Sequence, residues 1–284
     1  MDTKAGTEKT AGRHLLLIIL MVLLVGGLSR QPSSAETFLC EDQHTGKGRC
    51  SLRYMRPGFS GERDVSTLSG IYDLGVSVSA RPDLFVVSSI PYIVANYSRG
   101  SERSGIGNVY LGIRHCRGEN HRTNSMESIG LFLPTVGTNT LNWFGYLTNF
   151  QQQHKYLSKT LTLSGTYAHR RSWPNGGLFG FQIGPDLWIP TERGQRDGEI
   201  LLHYGLDGGF RANHLTVMLE VVGLALITED WDDLGDLVKH AVVVGVQRTG
   251  GRFRPGMFLQ FYLEDDLRDS VDGVLGFRLE FVPD

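Results

Sequence analysis

The sequence predicts an all-β protein: a single closed antiparallel transmembrane β-barrel of about twelve strands, with twelve to fourteen as the bounds. Three observations predict it. Apolar and polar residues alternate almost without a break after residue 65, and a period of two is a strand with one apolar face. The alternating segments mostly run 10–14 residues. Strands of soluble domains usually have about five or six, whereas a tilted bilayer-crossing strand needs about 9–11. The opposite face of each segment carries Ser, Thr, Gly or charge. That suits lipid outside and a polar lumen inside, and only closure removes the unpaired edges that hydrocarbon does not tolerate.

Taken in order, the chain opens with Lys4, Lys9 and Arg13, then an apolar run from Leu15 to Leu28, then Ser33-Ser34-Ala35. A basic start, a short apolar stretch and a small-x-small site read as a secretory signal peptide over 1–35, cut after Ala35. Residues 36–65 read as a periplasmic lead-in. They hold Cys40 and Cys50 either side of a polar stretch, and export permits a disulfide between them. The barrel is expected over 66–284. Residues 36–284 hold 24 basic and 28 acidic side chains, a net charge of −4, which argues against nucleic acid as a partner.

Twelve segments are expected as strands: near 67–79, 84–97, 106–116, 127–135, 142–151, 157–169, 178–190, 199–210, 213–226, 237–248, 253–265 and 272–282. In 68–78, Leu68, Gly70, Tyr72, Leu74, Val76 and Val78 share one face, with Ile71 as an exception on the other. In 157–167, Leu161, Leu163 and Tyr167 oppose Thr160, Thr162, Ser164 and Thr166. Turn-forming clusters such as "ARPD", "WPNGG", "RANH" and "RTGG" separate the segments. "SGIGNVYLGIRH" (104–115) begins like a phosphate loop, but its third glycine is late and alternation follows at once. It reads as a turn and a strand, with Tyr110 and Arg114 facing inward. Trp143, Phe144, Tyr146, Trp173, Trp188, Phe253 and Phe281 fall near segment ends, where an interfacial girdle would sit. No amphipathic helix longer than two turns is expected.

One difficulty is topological. Short turns should face the periplasm and long loops the outside. Counted back from 272–282, the short "ARPD" becomes an outer loop. Either an early segment is miscounted or "CSLRYM" (50–55) is an extra strand.

The stretches "LGVSVSARPDLFVVSSIPYI" (74–93), "SGIGNVYLGIRH" (104–115), "GLFLPTVG" (130–137) and "MFLQFYLEDDLRDSVDGVLGFRLEF" (257–281) resemble the outer-membrane barrels named for the meta-pathway of phenol degradation, the MetA-like family. Asn108 stands where that pattern often has Asp. The resemblance implies a barrel that passes hydrophobic or aromatic compounds, and it brings no catalytic residues. Gly276, Leu279 and Phe281 look like the terminal signal read by the barrel-insertion machinery.

No nucleophile elbow, phosphate loop or zinc-protease motif occurs, so no catalytic residue, metal or cofactor is expected. "EDWDDLGD" (229–236) has parts of a calcium loop but lacks ligands at required positions and reads as a solvated loop. Cys116, with His115 and His121 nearby, reads as an idle thiol. Alternation places Asp73, Arg114, Asp186, His203, Asp207, Glu220, Lys239, Glu264, Arg278 and Glu280 on the lumen side. They would line a permeation path or fill a narrow barrel with mutually satisfied side chains. With both signs interleaved, no strong ion selectivity is expected.

The function expected is passive, channel-like transport of small molecules across the outer membrane of a bacterium, with membrane lipid and a small-molecule substrate as partners. Three other readings stay open. One is a structural or adhesion barrel without transport. One is an outer-membrane lipid hydrolase, which would need His203 or His240 beside a serine. The last is a secreted soluble binder.

Overall fold

The computed structural model describes residues 48–60, 68–96, 103–120, 123–137, 139–192, 198–228 and 238–283. The expected signal peptide, Cys40 and the acidic stretch 229–236 lie outside them.

Long alternating segments form long strands. In chain order they are β1 (Arg49–Phe59), β2 (Gly70–Arg81), β3 (Leu84–Ala95), the short β4 (Arg103–Ile106), β5 (Val109–Asn120) and β6 (Thr123–Leu133). A helix α1 (Asn139–Thr148) and a 3-10 helix η1 (Phe150–Lys155) follow. The second half has β7 (Thr160–Ser172), β8 (Gly177–Pro190), β9 (Glu199–Ala212), β10 (Leu215–Leu226), β11 (Val238–Arg248), β12 (Phe253–Tyr262), a one-turn helix α2 (Asp265–Arg268) and β13 (Val271–Phe281).

Every strand pairs antiparallel with its neighbours, and β1 closes the ring. It pairs with β2 (Arg53↔Asp73) on one side and with β13 (Arg53↔Arg278, Cys50↔Phe281) on the other. Twelve strands make the wall, and β4 pairs only with the end of β3, Tyr92–Ala95. Closure leaves the wall without an unpaired edge, as hydrocarbon demands.

Large apolar side chains cover the outside. Val86, Leu111, Ile113, Ile129, Leu206, Val217 and Leu219 are each about half exposed. A sandwich of two sheets would bury these faces against each other, so the outward grease excludes that architecture and fits a lipid-facing wall. Residues of opposite parity point inward and are buried: Asp73, Thr162, Asp186, Glu220, Gln260 and Glu280 among them.

Two expectations need correction, and together they resolve the topological difficulty. Residues 142–151 are not a strand. Leu141, Phe144, Leu147 and Phe150 are all buried, three residues apart, while Trp143 is exposed, so the period is helical. At ten residues, α1 also exceeds the two turns expected at most. Residues 49–59, placed in the lead-in, are a wall strand; three arginines and Pro57 in "RCSLRYMRPGF" weaken its strand signal. The count stays at twelve and the parity shifts. The short connections 82–83, 121–122, 173–176, 213–214 and 249–252 now share one end of the barrel. The long ones, 60–69, 96–108, 134–159, 191–198, 227–237 and 263–270, share the other. By the usual rule the short-turn end is periplasmic, and "ARPD" is one of its turns.

Candidate functional site in the barrel lumen

The connection 134–159 folds into the barrel instead of standing outside it. Its helix α1 sets Phe144 and Leu147 against inward apolar residues of the long-loop half of the wall: Met55, Ile71, Ile93, Val222, Val243, Val271 and Val274. These residues break the polar pattern of the lumen face, Ile71 among them. They are apolar because a helix, not water, lies against them. Tyr262 donates a hydrogen bond from its phenol to the Leu147 carbonyl at 2.7 Å, tying β12 to the end of α1. Burial, then Asp266 and Glu264, push the Tyr146 phenol up to about 12, so it stays neutral.

The far end of the loop is held by the residues just before β5. Asn108 Nδ2 donates to the carbonyls of His154 (2.8 Å) and Leu157 (2.7 Å), and its Oδ1 accepts from the Val136 amide (3.2 Å). Its own amide donates to the Lys155 carbonyl at 2.6 Å. A Cβ on Gly107 would strike that same carbonyl and Pro91, so glycine is required for the close approach. Thr135 Oγ1 bridges the Gly107 carbonyl and the Val109 amide.

Where η1 meets the wall, two charged knots form. Asp73 on β2 takes Lys155 Nζ at 2.6 Å and Arg53 of β1 at 2.8 Å, and Arg53 also donates to Gln152 Oε1 at 2.8 Å. Asp186 on β8 lies 3.1 Å from His154 Nδ1 and 3.2 Å from His203 Nδ1, and the other His203 nitrogen meets Thr166 Oγ1 at 3.1 Å. Buried carboxylates with two cationic or imidazole partners each hold the loop against the barrel.

On the short-turn side of η1 lies a cavity of about 180 Å³. Arg49, Arg53, Arg114 and Arg278 line it, with Ser77, Ser89, Ser164 and Gln182. Tyr110, Phe132 and His154 form an aromatic wall, with ring centroids 4.6 Å and 4.1 Å apart along the series. Gly112 and Gly130 make room for the Tyr110 ring, since a Cβ at either would collide with it.

Comparison with solved structures bears on this architecture. The chain is similar to the COG4313 outer membrane channel from Pseudomonas putida F1, with a TM-score of 0.61 and 11% identity, covering 89% of this chain and 99% of that one. It is also similar to the NanC porin, with a TM-score of 0.53 and 9% identity over 82% of this chain and 99% of that one. The fold is that of an outer-membrane β-barrel. No protein-family model matches the chain, and no curated protein does. At these identities the likeness is one of fold, and the lumen of this barrel must be read from its own side chains.

The residues expected in the lumen separate into three groups. Asp73, Arg114, His203 and Arg278 line the cavity. Asp186, Asp207, Glu220 and Glu280 face inward but are buried. Asp207 takes Arg170 at 3.2 Å, and Glu280 takes Arg49 at 3.1 Å and Arg254 at 3.8 Å. Lys239 and Glu264 belong to the long-loop rim. Lys239 pairs with Asp266 at 2.9 Å. Glu264 lies beyond the end of β12 and grips His240, through its amide at 2.7 Å and Nδ1 at 2.8 Å. His240 faces outward between the inward Lys239 and Ala241, so Glu264 does not line the lumen; alternation fails for it because the strand has ended.

Trp188 is likewise turned inward against the apolar cluster instead of joining an outer girdle. Cys50 is buried in β1, and its expected partner Cys40 lies outside the described residues. Cys116 is buried in a small apolar cluster with Phe85, Val87, Met126 and Ala168. The hydroxyl partners of the two candidate histidines are Thr166 for His203 and Tyr204, at 2.7 Å, for His240. Sequence reasoning missed the whole of η1: Gln152, His154 and Lys155 carry no strand pattern, and the helical spacing from Leu141 to Phe150 was the available signal.

Proposed function

We propose that this barrel is a passive channel whose bore is set by the inward loop 134–159. One observation carries the reading: the loop stops at η1, and beneath it a polar, charged cavity lies inside an otherwise lipid-facing wall. A barrel filled only for stability has no need of a water-accommodating chamber lined by arginine and serine. The two similar structures named a channel and a porin support the reading, as does the resemblance to the phenol-degradation family. We place the chain near that family on "SGIGNVYLGIRH" and "GLFLPTVG", because their non-strand residues, Gly107, Asn108 and Thr135, hold the loop. Its partners are then lipid on the outer face, a small solute in the lumen, and the insertion machinery at the terminal strand carrying Gly276, Leu279 and Phe281.

A second reading, a structural barrel without transport, draws on the apolar seal that α1 makes in the long-loop half. Reconstitution into liposomes and planar bilayers separates the two. The channel gives discrete conductance steps and swelling in small solutes. A folded, heat-modifiable protein that gives neither overturns the channel.

A further inference from the structure

We propose that the cavity beneath η1 selects small carboxylates with a flat apolar body, and that permeation through this lumen is anion-selective. The inference rests on the channel reading and adds to it the chemistry of the solute.

The sequence pattern suggests mixed signs and no selectivity, but the structure separates the signs by depth. Five Lys and Arg side chains line the cavity, Arg49, Arg53, Arg114, Lys155 and Arg278, against one carboxylate, Asp73. The other inward carboxylates, Asp186, Asp207, Glu220 and Glu280, are buried behind the surface, and Asp186, Asp207 and Glu280 are turned toward basic or imidazole groups. Counting them together with Arg170 and Arg254, which pair with Asp207 and Glu280, still leaves the basic side chains in excess. A cavity walled by one sign of charge in low dielectric raises the local concentration of the opposite ion. Arginine adds geometry, since its planar fork matches a carboxylate with two parallel hydrogen bonds.

The remaining wall gives the other half of the ligand. Tyr110 lies flat over Gly112 and Gly130, and Phe132 continues its surface toward His154. This presents ring faces within the same cavity as the guanidinium groups. At about 180 Å³ the cavity is small beside ligand pockets of roughly 300–1,000 Å³. It therefore suits a molecule of one ring and one carboxylate better than an oligosaccharide or a peptide.

The test uses the full mature chain in planar bilayers and liposomes. Under a potassium chloride gradient the reversal potential reads the chloride-to-potassium permeability ratio, which is expected to exceed one. Liposome uptake is expected to rank benzoate above benzyl alcohol, and benzyl alcohol above benzylammonium. Added benzoate is expected to reduce the chloride current more than equal acetate does. Arg114→Gln should lower the permeability ratio about fourfold, since one unit charge roughly 10 Å from a path through water favours the anion and disfavours the cation by about twofold each. Arg114→Lys should retain the ratio, and heat-modifiable mobility confirms that both variants fold. A conducting channel with no anion preference, or with benzylammonium ahead of benzoate, overturns this inference and leaves the channel standing. Equal block by acetate and benzoate removes the flat body from it. Absence of any conductance or uptake sinks the channel reading and this inference with it.

Discussion

The two halves of this lumen face the same axis from the same twelve strands, yet they are built by different rules. In the long-loop half the inward positions are Ile71, Ile93, Val222, Val243, Val271 and Val274, and a helix fills the space between them. In the short-turn half they are Arg49, Arg114, Ser77, Gln182 and Arg278, and a cavity remains. The two meet at η1, where Asp73 and Asp186 take Lys155, Arg53, His154 and His203. The difference teaches that a barrel interior is not one environment. An inward position is apolar where protein covers it and polar where water does. On the proposed channel reading, the first half sets how much the loop blocks, and the second sets what passes.

The comparison breaks most readily in the apolar half. Phe144 is completely buried at the centre of the cluster and meets Phe59 at a centroid distance of 5.8 Å. Phe144→Ala is expected to weaken loop docking by about 3–5 kcal/mol. The reading is a larger or noisier single-channel conductance, with the wall intact by heat-modifiable mobility. Unchanged conductance steps would show that α1 does not limit the bore.

Asn108→Ala comes next. It removes three side-chain hydrogen bonds and leaves the His154 carbonyl and the Val136 amide without them in a buried setting. Such orphaned groups cost about 1–3 kcal/mol. The loop should become cleavable by added protease at lower temperature than in the parent, while the proposed anion preference persists, because no charge has moved. Loss of preference together with loop release would merge the two halves into a single device.

How much of this was legible in the sequence follows the same division. The wall was readable because alternation is a local rule: Val109, Leu111 and Ile113 share a face whatever lies across the barrel. Strand β1 was hidden by Arg49, Arg53, Arg56 and Pro57, which look wrong for a strand until Asp73 and Glu280 are seen beside two of those arginines. The loop was misread because "NTLNWFGYLT" is short and apolar, and a brief apolar run fits both periods. Its true signal lay partly elsewhere. Ile71 and Ile93 spoil the polar parity of β2 and β3, and they pack against the loop that covers them. The cavity chemistry was least legible. Parity puts Arg114 and Glu280 on the same side of the wall, but it cannot say that one meets the solvent while the other lies beneath arginines.

The smallest expected effect sharpens the contrast from the polar half. Ser89 lines the cavity, and its hydroxyl has no hydrogen-bond partner among the described residues. In the apolar half a lost side chain opens a void, whereas here Ser89→Ala removes a buried hydroxyl that already lacks a partner. Stability should be unchanged or slightly raised, since no hydrogen bond is lost and a buried unsatisfied group is removed. The permeability ratio should not move, since the proposed selectivity is a matter of charge and Ser89 carries none. A shift in anion preference from this one hydroxyl would mean that hydrogen bonding at the wall, and not the field of Arg49, Arg114 and Arg278, discriminates between solutes.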